Sequence, residues 1–128
     1  MLNHVMVGTN DIERAKRFYD AVLGVLGAAE GKRNVNATGQ TRLFYRHDGS
    51  TFGISEPIDG NPATHANGGT IAFKCHSAEQ LLQFHDTAVA HGGTSIEGAP
   101  GPRDGKGMHM AYVRDPDGNK LCAIFRPA

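Results

Sequence analysis

Residues 2–24 read LNHVMVGTNDIERAKRFYDAVLG, and their pattern sets the fold. A short apolar run, Leu2 to Val7, comes first. Ile12, Ala15, Phe18, Tyr19, Val22 and Leu23 then recur at spacings of three and four, which makes one apolar stripe on a helix. Arg14, Lys16 and Arg17 fall mostly off that stripe, so the spacing predicts an amphipathic helix near Asp11 to Leu23. Asn10 and Glu13 have capping-box spacing at its start, and Gly24 and Gly27 can end it.

The same grammar returns further along. With a shift of 66 residues, Val5, Val7, Glu13, Phe18, Asp20, Leu23 and Gly27 meet Ile71, Phe73, Glu79, Phe84, Asp86, Val89 and Gly93. A repeat at this level points to a duplicated structural unit. In the second copy the apolar run is Thr70 to Cys75. The helix is expected near Ser77 to Ala90, on a stripe of Ala78, Leu81, Leu82, His85, Ala88 and Val89. Ser77 and Gln80 have capping-box spacing, and Gly92-Gly93 stop the helix. A shift near 67 puts Tyr45 on Tyr112 and Asp48 on Asp115. Two extra residues, Pro116-Asp117, then align Gly49 with Gly118.

Strand-like runs fill the rest of each half: Thr41 to Arg46, Thr51 to Ser55, Met108 to Arg114 and Lys120 to Phe125. Asp48-Gly49 and Asp117-Gly118 are hairpin signals between them. The unit reads β-α-β-β-β, twice, which is an α+β class. One unit cannot bury both a helix stripe and a sheet face well, and two side by side can. The expected organisation is a single domain over 1–128, with module one about 1–56, a linker about 57–69 and module two about 70–128. The linker, PIDGNPATHANGG, is expected to be an ordered strap, because a short connection between packed halves gains by being fixed.

Composition narrows the function classes. The chain has 128 residues, with 13 Lys+Arg against 13 Asp+Glu. This balance gives no overall field for steering towards nucleic acid or an anionic membrane. A hydrophobic content of 39% with no net charge is that of a folded chain. No apolar run approaches the ~20 residues of a membrane span. The opening MLNHVMVGTND lacks the basic and apolar regions of a signal peptide, so a cytoplasmic location is expected. Cys75 and Cys122 fit no disulfide framework and read as reduced thiols. Seventeen glycines imply many tight turns between short strands.

LNHVMVGTNDIERAKRFYDAVLG at the start and YVRDPDGNKLCAIFR at 112–126 together resemble the vicinal oxygen chelate superfamily. That group includes glyoxalase I, extradiol dioxygenases, fosfomycin-resistance enzymes and bleomycin-resistance proteins. The resemblance covers essentially the whole chain. It implies paired βαβββ modules whose mixed sheets curl around a cavity, in a homodimer, and it does not name a reaction. It also implies where a divalent metal would sit, held by His and carboxylate side chains from equivalent strands of the two modules. His4 matches the first-strand histidine. Its counterpart in module two is Thr70, and the internal repeat gives the same pairing. The last-strand carboxylate position, four residues after the glycine of DPDG, is Cys122. Counting four from Gly49 gives Gly53 in module one. A gap-free shift would instead offer Glu56.

One of four positions keeps its usual ligand, so no metal site and no cofactor are expected. A metal held through His4 with Glu56 or Cys122 is the alternative. Cys122 otherwise reads as a small buried residue, and Thr70 as a strand residue. His47, His65, His76, His85, His91 and His109 show no metal spacing, and His85 reads as packing on its helix. The loop GAPGPRDGKG at 98–107 carries Arg103 and Lys106, and Arg103 could pair a carboxylate or phosphate. The chain therefore reads as a small-molecule protein. One reading is a divergent lyase or isomerase on a small oxygenated substrate, with His4 as acid–base group and Thr70, Arg103 and Cys122 against the ligand. The other is a sequestering protein of the bleomycin-resistance type without chemistry. A structural dimer with a vestigial cavity is a third. Glyoxalase I activity itself is not expected.

Overall fold

The computed structural model describes residues 1–103, 105 and 107–128. Its elements run β1 (Val5–Gly8), α1 (Ile12–Val25), β2 (Lys32–Val35), β3 (Thr41–His47) and β4 (Ser50–Ser55). Then follow β5 (Ile71–Lys74), α2 (Ala78–Ala90), β6 (Thr94–Arg103), β7 (Met108–Arg114) and β8 (Lys120–Phe125). They form two four-stranded sheets, ordered β1-β4-β3-β2 and β5-β8-β7-β6. In each sheet the first strand is parallel to the last and the remaining pairs are antiparallel. The structure is thus α+β with two tandem βαβββ modules. The sheets do not close into a barrel within the chain.

Alternation along the strands divides each sheet into two faces. Leu43, Tyr45, Phe52 and Ile54 turn inward from sheet one, and Ala111, Val113, Leu121 and Ala123 from sheet two. These inner faces share one core with Ala15, Phe18, Tyr19, Val22 and Leu23 of α1 and Leu81, Phe84 and Ala88 of α2. The helices touch each other, and each covers its own sheet. Phe52 and Phe73 bridge the modules edge to face, with centroids 5.3 Å apart.

Several local expectations change. The α1 cap is Asp11, which accepts from the Arg14 N–H at 3.0 Å, rather than Asn10. Asn10 instead clips the strap: its Oδ1 accepts from the Ala63 N–H at 2.6 Å, and its Nδ2 donates to the Ala63 carbonyl at 3.2 Å. Ser77 caps α2 as expected. Leu82 and Val89, placed on the α2 stripe by spacing, are each 45% exposed, whereas Phe84 is buried. His85 is held by polar contacts, with Nε2 2.8 Å from Ser95 Oγ and Nδ1 2.9 Å from Asp86. Part of the stretch read as a loop after Gly98 continues β6, which is interrupted by a register shift between Ile96 and Gly101. There Glu97 and Gly98 have φ of 57° and 85°. Lys106 lies outside the described residues.

Strand register fixes how the modules correspond. Val5 pairs with Phe52 and Met6 with Gly53; Ile71 pairs with Leu121 and Ala72 with Cys122. Gly53 and Cys122 are therefore equivalent, as the Asp-Gly turn suggested, and Glu56 lies beyond β4. One step further, Phe44 opposes Gly53 and Tyr112 opposes Cys122. Tyr112 corresponds to Phe44, then, and not to Tyr45. The slip has a cause: the second turn, bracketed by Asp115 and Asn119, is one residue longer than the Asp48-Gly49 turn, not two.

That longer turn joins the modules. Asp117 accepts from Thr9 Oγ1 at 2.6 Å, the Asn10 N–H at 2.9 Å and Arg14 Nη2 at 2.8 Å. Asp115 accepts from the fully buried Tyr19 hydroxyl at 2.5 Å. Asn119 donates to the Gly8 carbonyl at 3.0 Å. Burial, reinforced by Asp115, pushes the Tyr19 hydroxyl far above its ordinary range, so it remains a donor. Among the described residues, no helix is long and apolar enough to cross a membrane.

Candidate functional site

Each sheet's second face turns away from the helices, and the chemistry-bearing residues gather there. On sheet one, Arg42, Phe44 and Arg46 alternate along β3 and so share that outer face with Met6 and Gly53. The guanidinium carbons of Arg42 and Arg46 each lie 5.4 Å from the Phe44 ring centroid. Arg42 is fixed by donating to Asn34 Oδ1 from Nε, at 3.0 Å, and from Nη2. On sheet two the equivalent ring is Tyr112, with the Arg103 guanidinium carbon at 5.5 Å and Lys120 Nζ at 4.8 Å from its centroid. Cations at such distances are attracted by the ring quadrupole. Arg103 also donates to the Ala99 carbonyl at 3.0 Å, and Lys120 is paired with Glu97.

Two of the residues singled out from sequence meet here. Arg103 and Cys122 share the outer face of sheet two, with Tyr112 between them. His4 and Thr70 each sit one residue before a strand and are exposed. His4 Nδ1 lies 2.7 Å from Asn3 Oδ1. No hydrogen bond or ion pair links His4 to Thr70, Arg103 or Cys122 among the described residues. Sequence reasoning missed Phe44 and the role of Tyr112. The Arg-x-Phe-x-Arg spacing at residues 42–46, read at the strand period of two, was the available signal.

The positions implied for a metal do not fit one. Gly53 has no side chain, and a Cβ there would meet Met6 at 3.1 Å and Phe44 at 3.3 Å. Cys122 is 2% exposed. Burial raises its thiol pKa, and the Tyr112, Lys120 and Arg103 contacts that favour the thiolate do not reverse this. It therefore stays protonated at neutral pH, which makes it a poor ligand and nucleophile. Burial and then Cys122 also push the Tyr112 hydroxyl up. Cys75, on the inner side, is pushed up to about 11 by burial. Glu56 is engaged locally, its Oε1 accepting from the Thr41 N–H at 2.6 Å. No group of three His, Cys, Asp or Glu side chains that could hold a metal occurs among the described residues.

Two clefts open on the molecule, one of them beside an outer face. One of about 460 Å³ opens on the outer side of sheet one beneath the strap, lined by Met6, Arg42, Ser55, Pro57 and Ala63 among others. The second, about 480 Å³, lies between the modules on an apolar floor of Leu23, Phe52 and Phe73, with His47, Lys74 and His76 also lining it. Both are of the size that takes small molecules.

Residues 1–123 match the family model described as Glyoxalase/Bleomycin resistance protein/Dioxygenase superfamily. A crystal structure of a glyoxalase/bleomycin resistance protein from Albidiferax ferrireducens T118 is 52% identical, covers 99% of each chain and superposes with a TM-score of 0.89. A probable lactoylglutathione lyase of Vibrio cholerae is 24% identical over 115 residues, which is 90% of this chain and 83% of that protein. The fosfomycin resistance protein FosX of Listeria monocytogenes shares the fold at 16% identity and a TM-score of 0.72, over 100% of this chain and 92% of that one.

Proposed function

The chain belongs to the Glyoxalase/Bleomycin resistance protein/Dioxygenase superfamily, and we propose that within it this protein binds a small oxygenated molecule on its outer strand faces and sequesters it without metal chemistry. The observation that carries this reading is the same in both modules. An aromatic side chain directly opposes the position where the resemblance puts a metal-binding carboxylate: Phe44 at Gly53, and Tyr112 at Cys122. What remains there is a ring flanked by cations, a surface suited to holding a ligand. Among the described residues no acid–base pair is assembled beside it: the Cys122 thiol is held protonated, and His4 is exposed with Asn3 as its hydrogen-bond partner.

A second reading keeps catalysis, as a divergent lyase or isomerase using His4 as acid–base group and Arg103 as anion clamp. The similarity to a probable lactoylglutathione lyase favours it. A homodimer is also proposed, because Leu82 and Val89 lie seven residues apart on α2 and leave an exposed apolar strip for a second copy to cover.

The deciding experiment is elemental analysis of untagged protein alongside an assay for lactoylglutathione formation. We expect metal far below stoichiometric and no product with or without added divalent ions. His4→Ala should leave metal content unchanged. About one metal per chain, lost on that substitution, would overturn the proposal in favour of the catalytic reading.

A further inference from the structure

Formal charge cancels over the whole chain, but not over its surfaces. Lys32 pairs with Phe44 across β2 and β3, so it shares the outer face of sheet one with Arg42 and Arg46. Glu56 and Asp59 line the cleft beside Arg42 and Met6, but no carboxylate is bonded to Lys32, Arg42 or Arg46 among the described residues. Glu13 and Asp20 are on α1, Glu13 bonded to Arg33 and Asp20 to Lys16. Glu56, at the end of β4, is tied to the Thr41 N–H. Arg46 and Lys32 have no hydrogen-bonding or ionic partner among the described residues, and Arg42 bonds only to the neutral Asn34.

Sheet two repeats the design with its lysine paired to a carboxylate. Lys120 is paired with Glu97, and Arg103 donates to a backbone carbonyl. The two faces thus share one architecture and differ in neutralisation. Three cations crowded on one face repel one another, and an anion placed among them relieves that repulsion while gaining charge-assisted hydrogen bonds. Phe44 and Met6 between the guanidiniums offer an apolar platform for the rest of the molecule.

We infer that the outer face of sheet one, built on Arg42, Phe44 and Arg46, is a binding site for a small organic anion: a carboxylate, phosphate or phosphonate carried on a flat, unsaturated body. The anionic group lies against the free guanidinium edges, and the body lies on Phe44 and Met6. This deepens the proposed function and rests on it. Nucleic acid fits less well, since tracking a backbone needs cations spread along a path, and here they cluster on two neighbouring strands.

The test is nuclear magnetic resonance titration of the full chain with phenylphosphonate and, separately, its neutral analogue benzamide. Phenylphosphonate should shift the Met6 and Phe44 signals and bind more tightly than benzamide. Arg46→Gln should weaken it about tenfold and Arg46→Lys much less. Arg17→Gln, on the exposed side of α1, should change it by no more than about twofold. Arg46 is exposed, so its substitution leaves the fold intact, and the unchanged dispersion of the other signals checks this. Equal affinity in wild type and Arg46→Gln, or benzamide binding as tightly at the same residues, would refute the anion site while leaving a small-molecule face. If neither probe moves any outer-face signal, the sequestration reading fails as well. Displacement of phenylphosphonate by a single-stranded oligonucleotide at lower concentration would also overturn the inference.

Discussion

The Asp48-Gly49 turn and the Asp115–Asn119 turn close the same hairpin in the two modules, yet they have opposite fates. The first is a two-residue connection with φ of 51° at Asp48 and 80° at Gly49, exposed, its aspartate making no side-chain hydrogen bond among the described residues. The second is one residue longer, and its aspartates are docked into module one. The α helices show the reverse. Asp20 accepts from the Gly31 N–H at 2.9 Å and the Tyr45 hydroxyl at 2.7 Å and pairs with Lys16, whereas its repeat Asp86 is 76% exposed. Each polar anchor therefore survives in one copy only. The duplicated unit supplies the strands and helices twice, but a joint between the halves is asymmetric. One copy of each element is free to lose its contacts.

The largest expected effect is at the docked turn. Asp115→Ala removes the acceptor of the buried Tyr19 hydroxyl and of the Asp117 and Asn119 N–H groups. Leaving such groups unpaired should cost about 3–5 kcal/mol, and the variant is expected to unfold at far lower denaturant. Tyr19→Phe removes the donor instead and should cost only about 1–2 kcal/mol. A double-mutant cycle by urea denaturation checks this, since the two losses should not add. If Asp115→Ala proved no worse than His47→Ala at the matching position of the exposed hairpin, the joint would not lie at this turn.

A smaller effect separates the two helices. Burial pushes Asp20 up, but its hydrogen bonds to Gly31, Lys16 and Tyr45 outweigh that and hold it below its ordinary value. A carboxyl depressed in the folded state contributes stability above its unfolded pKa of about 3.9, and that stability is lost as pH falls through the folded value. Asp20→Asn should therefore flatten the acid limb of stability measured from neutral pH to about pH 2.5. Identical acid limbs for wild type and Asp20→Asn would place the acid sensitivity elsewhere.

How far such contrasts can be read from sequence follows from their range. The first-strand and helix correspondences carry local signals, apolar spacing and glycine stops, so a shift of 66 locates β1 with β5 and α1 with α2. β2 carried none: Lys32–Val35 is exposed throughout and is a strand only because β3 pairs with it. β6 is masked by Gly98, Pro100 and Gly101 at its bulge. Leu82 and Val89 fit the helical period but lie beyond the arc that the sheet and α1 cover. At the site, the Asp-Gly anchor correctly chose Gly53 over Glu56, because turn and register are coupled. The rings over those positions were not anticipated, since facing across strands depends on a register that the extra turn residue displaces. Balanced composition likewise hid the charge on sheet one, because a sum over residues contains no face.

The smallest effect should come from the free turn, and it tests the asymmetry directly. Asp48 occupies a left-handed conformation, φ 51°, that costs an L residue more than glycine. Asp48→Gly removes that strain but frees the unfolded chain by a comparable amount, roughly 0.5–1 kcal/mol. With no side-chain bond to lose, stability should stay within about 0.5 kcal/mol of wild type. The same change in module two, Asp117→Gly, deletes the acceptor of Thr9, Asn10 and Arg14. It should cost about 2–3 kcal/mol, although the chemical substitution is identical. Part of that loss is the stranding of Arg14, whose Nε is already buried without a hydrogen-bond partner among the described residues. If both glycine variants unfold at the same urea concentration, the contacts around Asp117 contribute no net stability and the turns differ in shape alone. If Asp48→Gly is the more damaging, the free hairpin carries a contact that its exposure does not reveal.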